Sequence, residues 1–269
     1  MKPQNYVVCS TVRSGSTLLC KTLEQLGSCG RPEEYFHRHT IRRLKLDNNP
    51  KAFFKYCQEI VQQGQLEQSD SLRSEPFGLK LHWWQLLDFL RLARQSPRFA
   101  SHSDIEILNT IFPNLTFIYL HRGDIVAQAV SAAIATQTGQ WERLSKNESD
   151  RPTAWNKPIK FQPWRIYEWD KALREHNASW QTFFRNNSIT PHEIVYEDLI
   201  SAFPPQMNRL LQALKVDANV ASADLNAPTQ RQGNQINQQF ISTYRRWPRP
   251  LLKALYRLYR LIKSQEVSS

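Results

Sequence analysis

Short apolar runs alternate with longer stretches of helical spacing along this 269-residue chain. Tyr6–Ser10, Phe77–His82, Leu115–His121 and Glu193–Tyr196 read as strands, short and rich in aromatic, Val, Ile and Leu residues. Apolar residues at helical spacing predict helices over Thr17–Leu26, Trp83–Ala93, Asp124–Thr136 and Pro205–Leu214, with two more at Lys51–Gln63 and Pro163–Arg185. Strand followed by helix, repeatedly, predicts an α/β protein with a central parallel sheet covered by helices. Nothing rich enough in Gly, Ser or Pro marks a domain boundary, so a single domain over residues 1–269 is the expectation. The polar stretch Gln140–Gln162, with Pro152 and Pro158, reads as a long surface excursion of the kind that often serves as a lid.

In open α/β sheets ligands bind beyond the carboxyl ends of the strands. Three segments are expected there: Thr11–Ser16, His121-Arg122 and Tyr196–Asp198. The first belongs to "CSTVRSGST" (Cys9–Thr17), laid out as strand, tight polar turn and helix. A helix start near Ser16 presents unmet N–H groups and the positive end of its dipole. Gly15 lets backbone approach an anion, Ser14, Ser16 and Thr17 supply hydroxyls, and Arg13 adds a planar cationic fork suited to tetrahedral oxyanions. Taken alone, the stretch is either an anion-binding loop or an ordinary βα turn with a well-capped helix. It departs from the nucleoside-triphosphatase pattern G-x-x-x-x-G-K-[ST], with Ser10 at the first glycine and Ser16 at the lysine. Together these predict a P-loop-like three-layer sandwich whose loop holds something other than ATP.

"LTFIYLHRGDIVAQAVSAAIATQTGQW" (Leu115–Trp141) repeats the design. Phe117–Leu120 reads as a buried strand, and Asp124 as the cap of the next helix. Arg122 in the turn and Ser131 two helical turns on are candidates for a second anionic group, or Arg122 pairs with Asp124. Alanines at 127, 129, 132, 133 and 135 make this helix slim enough for close packing on the sheet or on a partner subunit.

The net charge of +11 favours anionic partners: nucleic acid, acidic lipid or a highly charged small molecule. Basic residues are spread along the chain and densest in Tyr244–Lys263. A basic helix over about 248–264 is expected, where Leu251, Leu252, Leu255, Leu258 and Ile262 recur at helical spacing among Lys and Arg. It either lies on a membrane surface or packs on its own domain. No apolar run approaches the roughly 20 residues that span a bilayer, and the start lacks the apolar core of a secretory signal. Cys9, Cys20, Cys29 and Cys57 have neither C-x-x-C spacing nor a metal-ligand set, which predicts reduced thiols in a cytoplasmic protein.

Two separated anion stations without a triphosphatase lysine resemble the 3′-phosphoadenosine 5′-phosphosulfate (PAPS)-dependent sulfotransferases. The branch looks like the bacterial carbohydrate sulfotransferases typified by trehalose 2-sulfotransferase. "STVRSGSTLL" resembles the family's 5′-phosphosulfate loop, and "GRPEEYF" (Gly30–Phe36) its G-x-P-x-E-[FY]-F segment. "GLKLHW" (Gly78–Trp83) is similar to its G-x-K-x-x-W strand. "HRGDIVAQAVS" followed by "QTGQW" resembles its 3′-phosphate segment, and "IVYEDL" (Ile194–Leu199) a motif common among sulfotransferases. The motifs follow in order over residues 5–200, with a weaker echo at Arg231 and Tyr244-Arg245-Arg246.

The resemblance implies PAPS as sulfate donor, no metal, and a carbohydrate or glycolipid hydroxyl as acceptor. It places the 5′-phosphosulfate on Arg13, Ser14, Gly15, Ser16, Thr17 and Leu18, the 3′-phosphate on Arg122 and Ser131, and Arg231 over the nucleotide. Glu34 takes the general-base role, and Arg13 steadies the leaving phosphate. From the residues alone, Glu33-Glu34 is either solvated loop charge or a pair in which like-charge repulsion raises one pKa. His37 and His39 are the other candidate bases, His82 replaces a residue usually apolar in the branch, and Lys80 either approaches substrate or snorkels from a strand edge. Trp83, Trp84, Trp141 and Trp155 are candidates for sugar contact or for the core. A homodimer and a peripheral membrane contact through the basic helix accompany this reading, and nucleic acid does not. The competing classes are a small-molecule kinase on a similar scaffold and a non-enzymatic basic module binding anionic membrane or nucleic acid.

Overall fold

A computed structural model describes residues 4–66, 76–141, 158–216 and 235–266. The elements, in chain order, are β1 (Tyr6–Ser10), α1 (Ser16–Gln25), α2 (Arg38–Arg43), α3 (Pro50–Leu66), β2 (Gly78–His82), α4 (Trp83–Ala93), α5 (Asp104–Ile111), β3 (Thr116–His121), α6 (Ile125–Thr138), α7 (Pro163–Asn186), β4 (His192–Val195), α8 (Tyr196–Ser201), α9 (Phe203–Ala213), α10 (Gln235–Arg246) and α11 (Arg249–Glu266). Contacts divide the chain into two compact units: Met1–His121 with Asn177–Ala227, and Arg122–His176 with Pro228–Ser269. Each unit is assembled from two separated stretches, which is why no linker in the sequence announces the division.

The first unit holds the sheet, in the order β2-β1-β3-β4 with every pairing parallel. Both faces are covered, so the strands need apolar side chains at successive positions rather than alternate ones. Val7, Cys9, Leu79, Leu81, Phe117 and Tyr119 pack on one side, with Phe53 of α3, Phe89 of α4 and Trp180 of α7. Tyr6, Val8, Ile118, Leu120 and Ile194 pack on the other, with Leu19 and Leu23 of α1, Leu199 of α8 and Met207 and Leu210 of α9. This is the expected α/β arrangement, a central parallel sheet between helical layers. The chain leaves β1 for β2 on one side and later adds β3 on the other. The loop after β1 therefore leaves the sheet at a topological switch point, where open sheets bind ligands. All four cysteines are buried thiols.

Most element limits shift by a residue or more from the sequence reading, and the shift at β4 bears on the site. β4 stops at Val195, and Tyr196 opens α8, whose first turn carries Glu197 and Asp198 against the helix dipole.

The second unit contains α6, the first part of α7, α10 and α11. Ala129, Ala132 and Ala133 are buried on α6, and α10 packs against this helix through its own inward side. Asp170 of α7 is fully buried and ties the unit together. Its carboxylate takes an ion pair from Arg249, a 2.8 Å bond from Arg174 Nε and a 3.3 Å bond from the Tyr244 hydroxyl. Three partners offset the desolvation that a lone buried carboxylate would suffer.

Candidate active site

The loop after β1 has an unusual backbone. Arg13 has φ 60° and Gly15 has φ 92°, both left-handed. Left-handed residues on either side of Ser14 make the type of turn that collects successive N–H groups around an anion. Gly15 precedes α1 and provides no side-chain cap. The first regular helical bond runs from Leu19 N–H to Gly15 O at 3.1 Å, so the N–H groups of Ser16, Thr17 and Leu18 lie ahead of it. Ser14 is fully buried, and its Oγ has no hydrogen-bond partner among the described residues. An unmet buried hydroxyl costs roughly 1–3 kcal/mol, a cost that an oxyanion seated in the loop would remove. A Cβ on Gly15 would come within 2.3 Å of Cδ2 of Tyr196, so the ring closes one side of the loop.

Glu34 stands in the same unit, and its position is set by backbone pairing. Glu33 forms a parallel bridge with Leu79, with Lys80 N–H donating to Glu33 O at 3.0 Å. That bridge lays the Glu33-Glu34 segment along β2. Lys80 and His82, two residues apart on β2, point to one face. Lys80 Nζ lies 2.7 Å from Glu34 Oε1, and His82 Nε2 lies 3.6 Å from the same oxygen. Gln85, in the first turn of α4, bridges the rest: its Oε1 accepts from His82 N–H at 2.7 Å while its Nε2 donates to Glu34 Oε2 at 2.6 Å. His82 Nδ1 shares a 3.0 Å hydrogen bond with Ser10 Oγ, and Trp180 Nε1 donates to Ser10 O at 3.0 Å. One connected network thus joins the last residue of β1, where the loop begins, to Glu34.

Burial pushes the Glu34 carboxyl up, but the His82 and Lys80 charges and the hydrogen bonds from Lys80 and Gln85 outweigh it and hold the group down at about 2. Of the two alternatives for Glu33-Glu34, like-charge repulsion that raises the Glu34 pKa does not describe the site, and neither does free solvation of Glu34. Glu33 Oε1 turns to Arg31 Nε at 2.8 Å, and cations rather than Glu33 dominate around Glu34. Lys80 does not snorkel; it is 5% exposed and committed to Glu34.

A carboxyl held below its ordinary 4.5 stabilises the fold fully above that value and loses the contribution as pH falls through about 2. His82, Lys80 and Gln85 together account for that acid loss, on the order of 3 kcal/mol for the whole shift. Lys80→Met should therefore flatten the fall in stability between about pH 4.5 and pH 2, measured as urea midpoints across that window.

The remaining residues named from the sequence fall in several places. His37 caps α2, its Nδ1 accepting from His39 N–H at 3.2 Å, which occupies the first of the two alternative bases. Trp83 is packed edge-on to Trp180 with centroids 5.2 Å apart. Trp84 is half-buried, with Arg38 Cζ 5.2 Å from its ring centroid and His37 edge-on at 5.7 Å. In the second unit Arg122 and Ser131 are both half-buried, Ser131 on α6. Asp124 caps α6 through a 3.0 Å bond from Ala127 N–H and pairs with Arg245 Nη2 at 2.8 Å. Trp141 stacks edge-on with Trp169 at 5.9 Å. Arg231, Trp155 and residues 142–157 of the polar excursion lie outside the described residues.

Gln85 is not singled out by the sequence, and Ser10 and Tyr196 are named there only by position, without the contacts they make. Their signals were present: Ser10 and His82 are register partners across β1 and β2, and Gln85 sits at the third position of a helix that opens at a strand end.

A glycine-hinged loop thus stands at the head of a helix, next to a parallel strand whose Lys80 and His82 face Glu34, with serine where a triphosphatase loop has its lysine. The chain belongs to the Stf0 sulphotransferase family, whose model matches residues 5–247. It is an enzyme that transfers sulfate. It is 25% identical over 261 residues to a trehalose 2-sulfotransferase of Mycobacterium tuberculosis (strain ATCC 35801 / TMC 107 / Erdman), covering 89% of this chain and 94% of that one. It is also 25% identical over 268 residues to a trehalose 2-sulfotransferase of Mycolicibacterium smegmatis (strain ATCC 700084 / mc(2)155), covering 91% and 95%. Among solved structures it is similar to the sulfotransferase domain of the Synechococcus PCC 7002 olefin synthase, with TM-score 0.36 and 14% identity over 96% of this chain and 95% of that one. A sulfotransferase domain from the curacin biosynthetic pathway gives TM-score 0.42 and 16% identity over 88% and 83%.

Proposed function

We propose that this sulfotransferase moves a sulfuryl group from PAPS to a hydroxyl of a carbohydrate or glycolipid acceptor. The observation that carries the reading is the buried, unmet Ser14 hydroxyl in a left-handed loop at the head of α1. A donor ending in a phosphosulfate offers the tetrahedral oxyanion such a loop suits. When bound, PAPS supplies the sulfuryl group and, in its 5′-phosphate, the leaving group. The backbone N–H groups of Gly15–Leu18 hold that phosphate, while the Ser14 N–H closes the turn on Thr11 O, and Arg13 neutralises the charge that builds on the phosphate as the S–O bond breaks. Glu34 accepts the proton of the acceptor hydroxyl as its oxygen bonds to sulfur. Lys80 and Gln85 orient the two Glu34 oxygens and keep the carboxylate ionised, ready to accept.

Lys80 also weakens Glu34 as a base. Proton acceptance therefore goes with a loosening of the Lys80 contact, as negative charge on the donor competes for the ammonium. Arg122 and Ser131 are assigned to the 3′-phosphate, and Arg231 to closure over the nucleotide, on the family motifs they occupy. Trehalose, the acceptor in the names of the two mycobacterial relatives, is the first sugar to offer.

Arg122→Ala should weaken binding of adenosine 3′,5′-bisphosphate about 10- to 100-fold, the worth of one charged hydrogen bond, while the acceptor KM stays within about twofold. Calorimetric titration against acceptor kinetics checks this. Equal weakening of both would remove Arg122 from the 3′-phosphate.

A further inference from the structure

The basic helix near the end of the chain is not used by the transfer site, and it is built on two principles at once. One side is docked. Leu252 is buried, Tyr256 packs on Tyr167 with centroids 5.6 Å apart, and Tyr259 stacks on Trp164 at 6.1 Å. Arg165 Nη2 donates to the Tyr259 hydroxyl at 2.8 Å, and Arg249 reaches the buried Asp170. α11 is therefore held in place as a formed helix rather than folding when it meets a partner.

The other side is apolar and bare. Leu251 is 47% exposed, Leu258 55%, Leu261 63% and Ile262 52%. The other large apolar side chains exposed among the described residues, Leu44, Leu87, Trp141 and Ile236, are scattered over other segments. Leu251, half-buried Leu255, Leu258 and Ile262 follow one another at spacings of four, three and four, which makes one stripe along the helix. Lys253, Arg257 and Arg260 follow at four and three on a second, exposed stripe, with Leu261 lying between the two rows.

We infer that α11 is an interfacial helix that lays this surface on an anionic lipid bilayer. An exposed leucine row has no use in binding nucleic acid, whereas a row of cations has no use at an ordinary apolar subunit interface. The two side by side match the acyl boundary and the anionic headgroups of one leaflet. The net charge of +11 adds long-range attraction to the same surface. No helix among the described residues is long and apolar enough to cross a membrane, so α11 lies along the bilayer. The inference is independent of the donor and acceptor assignments.

The test is co-sedimentation of the full chain with phosphatidylcholine vesicles prepared with and without phosphatidylglycerol. The expected result is binding to the anionic vesicles, weakened by salt, and little to the neutral ones. Reversing Lys253, Arg257 and Arg260 to Glu should weaken the association about a hundredfold or more, from about fivefold per cation. Replacing Leu258, Leu261 and Ile262 by Ser should weaken it at least about tenfold through lost apolar burial. All six side chains are exposed, so both variants should keep the wild-type circular dichroism and melting midpoint; if one set misfolds, the other decides. Failure to bind anionic vesicles, or equal binding by wild type and variants, overturns the inference. So does a concentration-dependent dimer lost in the Leu/Ile→Ser variant, which would assign the stripe to a second copy. Tighter binding to a short oligonucleotide than to vesicles overturns it as well.

Discussion

Glu34→Gln should lower kcat for sulfuryl transfer by about 10²- to 10⁴-fold, the usual range for removing a general base. The substitution keeps the shape of the side chain and can keep the Gln85 bond, but it removes the proton acceptor. Affinity for adenosine 3′,5′-bisphosphate should stay within a few-fold, because the phosphate loop is untouched. A structural cost accompanies it. Lys80 is almost fully buried and loses its counter-charge, and breaking such a pair from one side is destabilising by about 3–5 kcal/mol when the pair is fully buried. Glu34 keeps a quarter of its side chain in solvent, which reduces that figure. The double variant Glu34→Gln with Lys80→Met should recover stability without recovering turnover. That split separates the base from the ion pair. Near-normal turnover in Glu34→Gln, with donor binding intact, would take the base role away from Glu34.

Gly15→Ala should be nearly as damaging, through geometry rather than charge. Its φ of 92° lies where side chains other than glycine's are strained, and the added Cβ would meet Tyr196 Cδ2 and Cε2 at 2.3 and 2.7 Å. The left-handed backbone costs about 1–2 kcal/mol and overpacking against the ring about 1–3 kcal/mol more. Either the ring or the loop must move, and donor affinity should fall about tenfold or more as the N–H groups are misplaced. Pairing it with Tyr196→Ala should restore the packing part and leave the backbone part. Wild-type stability and donor affinity in Gly15→Ala would contradict the reading of the loop as a fixed cradle.

The inner strands β1 and β3 were legible because they are buried on both faces and appear as near-continuous apolar runs, whereas β4, at the sheet edge, buries only Ile194; β1 and α4 have the limits the sequence predicts. The helices that escaped notice lack that contrast. α10 is rich in glutamine and buries few apolar residues, chiefly Phe240, Ile241 and Tyr244. α2 has six residues, four of them Arg or His. α5 did carry a readable start, the Ser103–Glu106 capping box, but its run of eight residues is short for a periodic signal. At the site, local sequence identified the loop, Glu34, Lys80 and His82 one by one. It could not show that Glu34 is drawn to β2 by the Glu33–Leu79 bridge, since pairing between segments 46 residues apart leaves no periodic trace. The lowered pKa of Glu34 was not legible for the same reason. A neighbouring carboxylate is visible in the sequence, whereas Lys80 and His82 brought in from a distant strand are not.

The central claim is that this sulfotransferase takes its sulfuryl group from PAPS through the β1–α1 loop and delivers it to a hydroxyl with Glu34 as base. Incubation with radiolabelled PAPS and a panel of sugars and glycolipids, trehalose included, tests it most directly. The account predicts label on an acceptor with wild-type protein, and loss of that transfer in Glu34→Gln without loss of adenosine 3′,5′-bisphosphate binding. Absence of both transfer and nucleotide binding in the wild-type protein would contradict it.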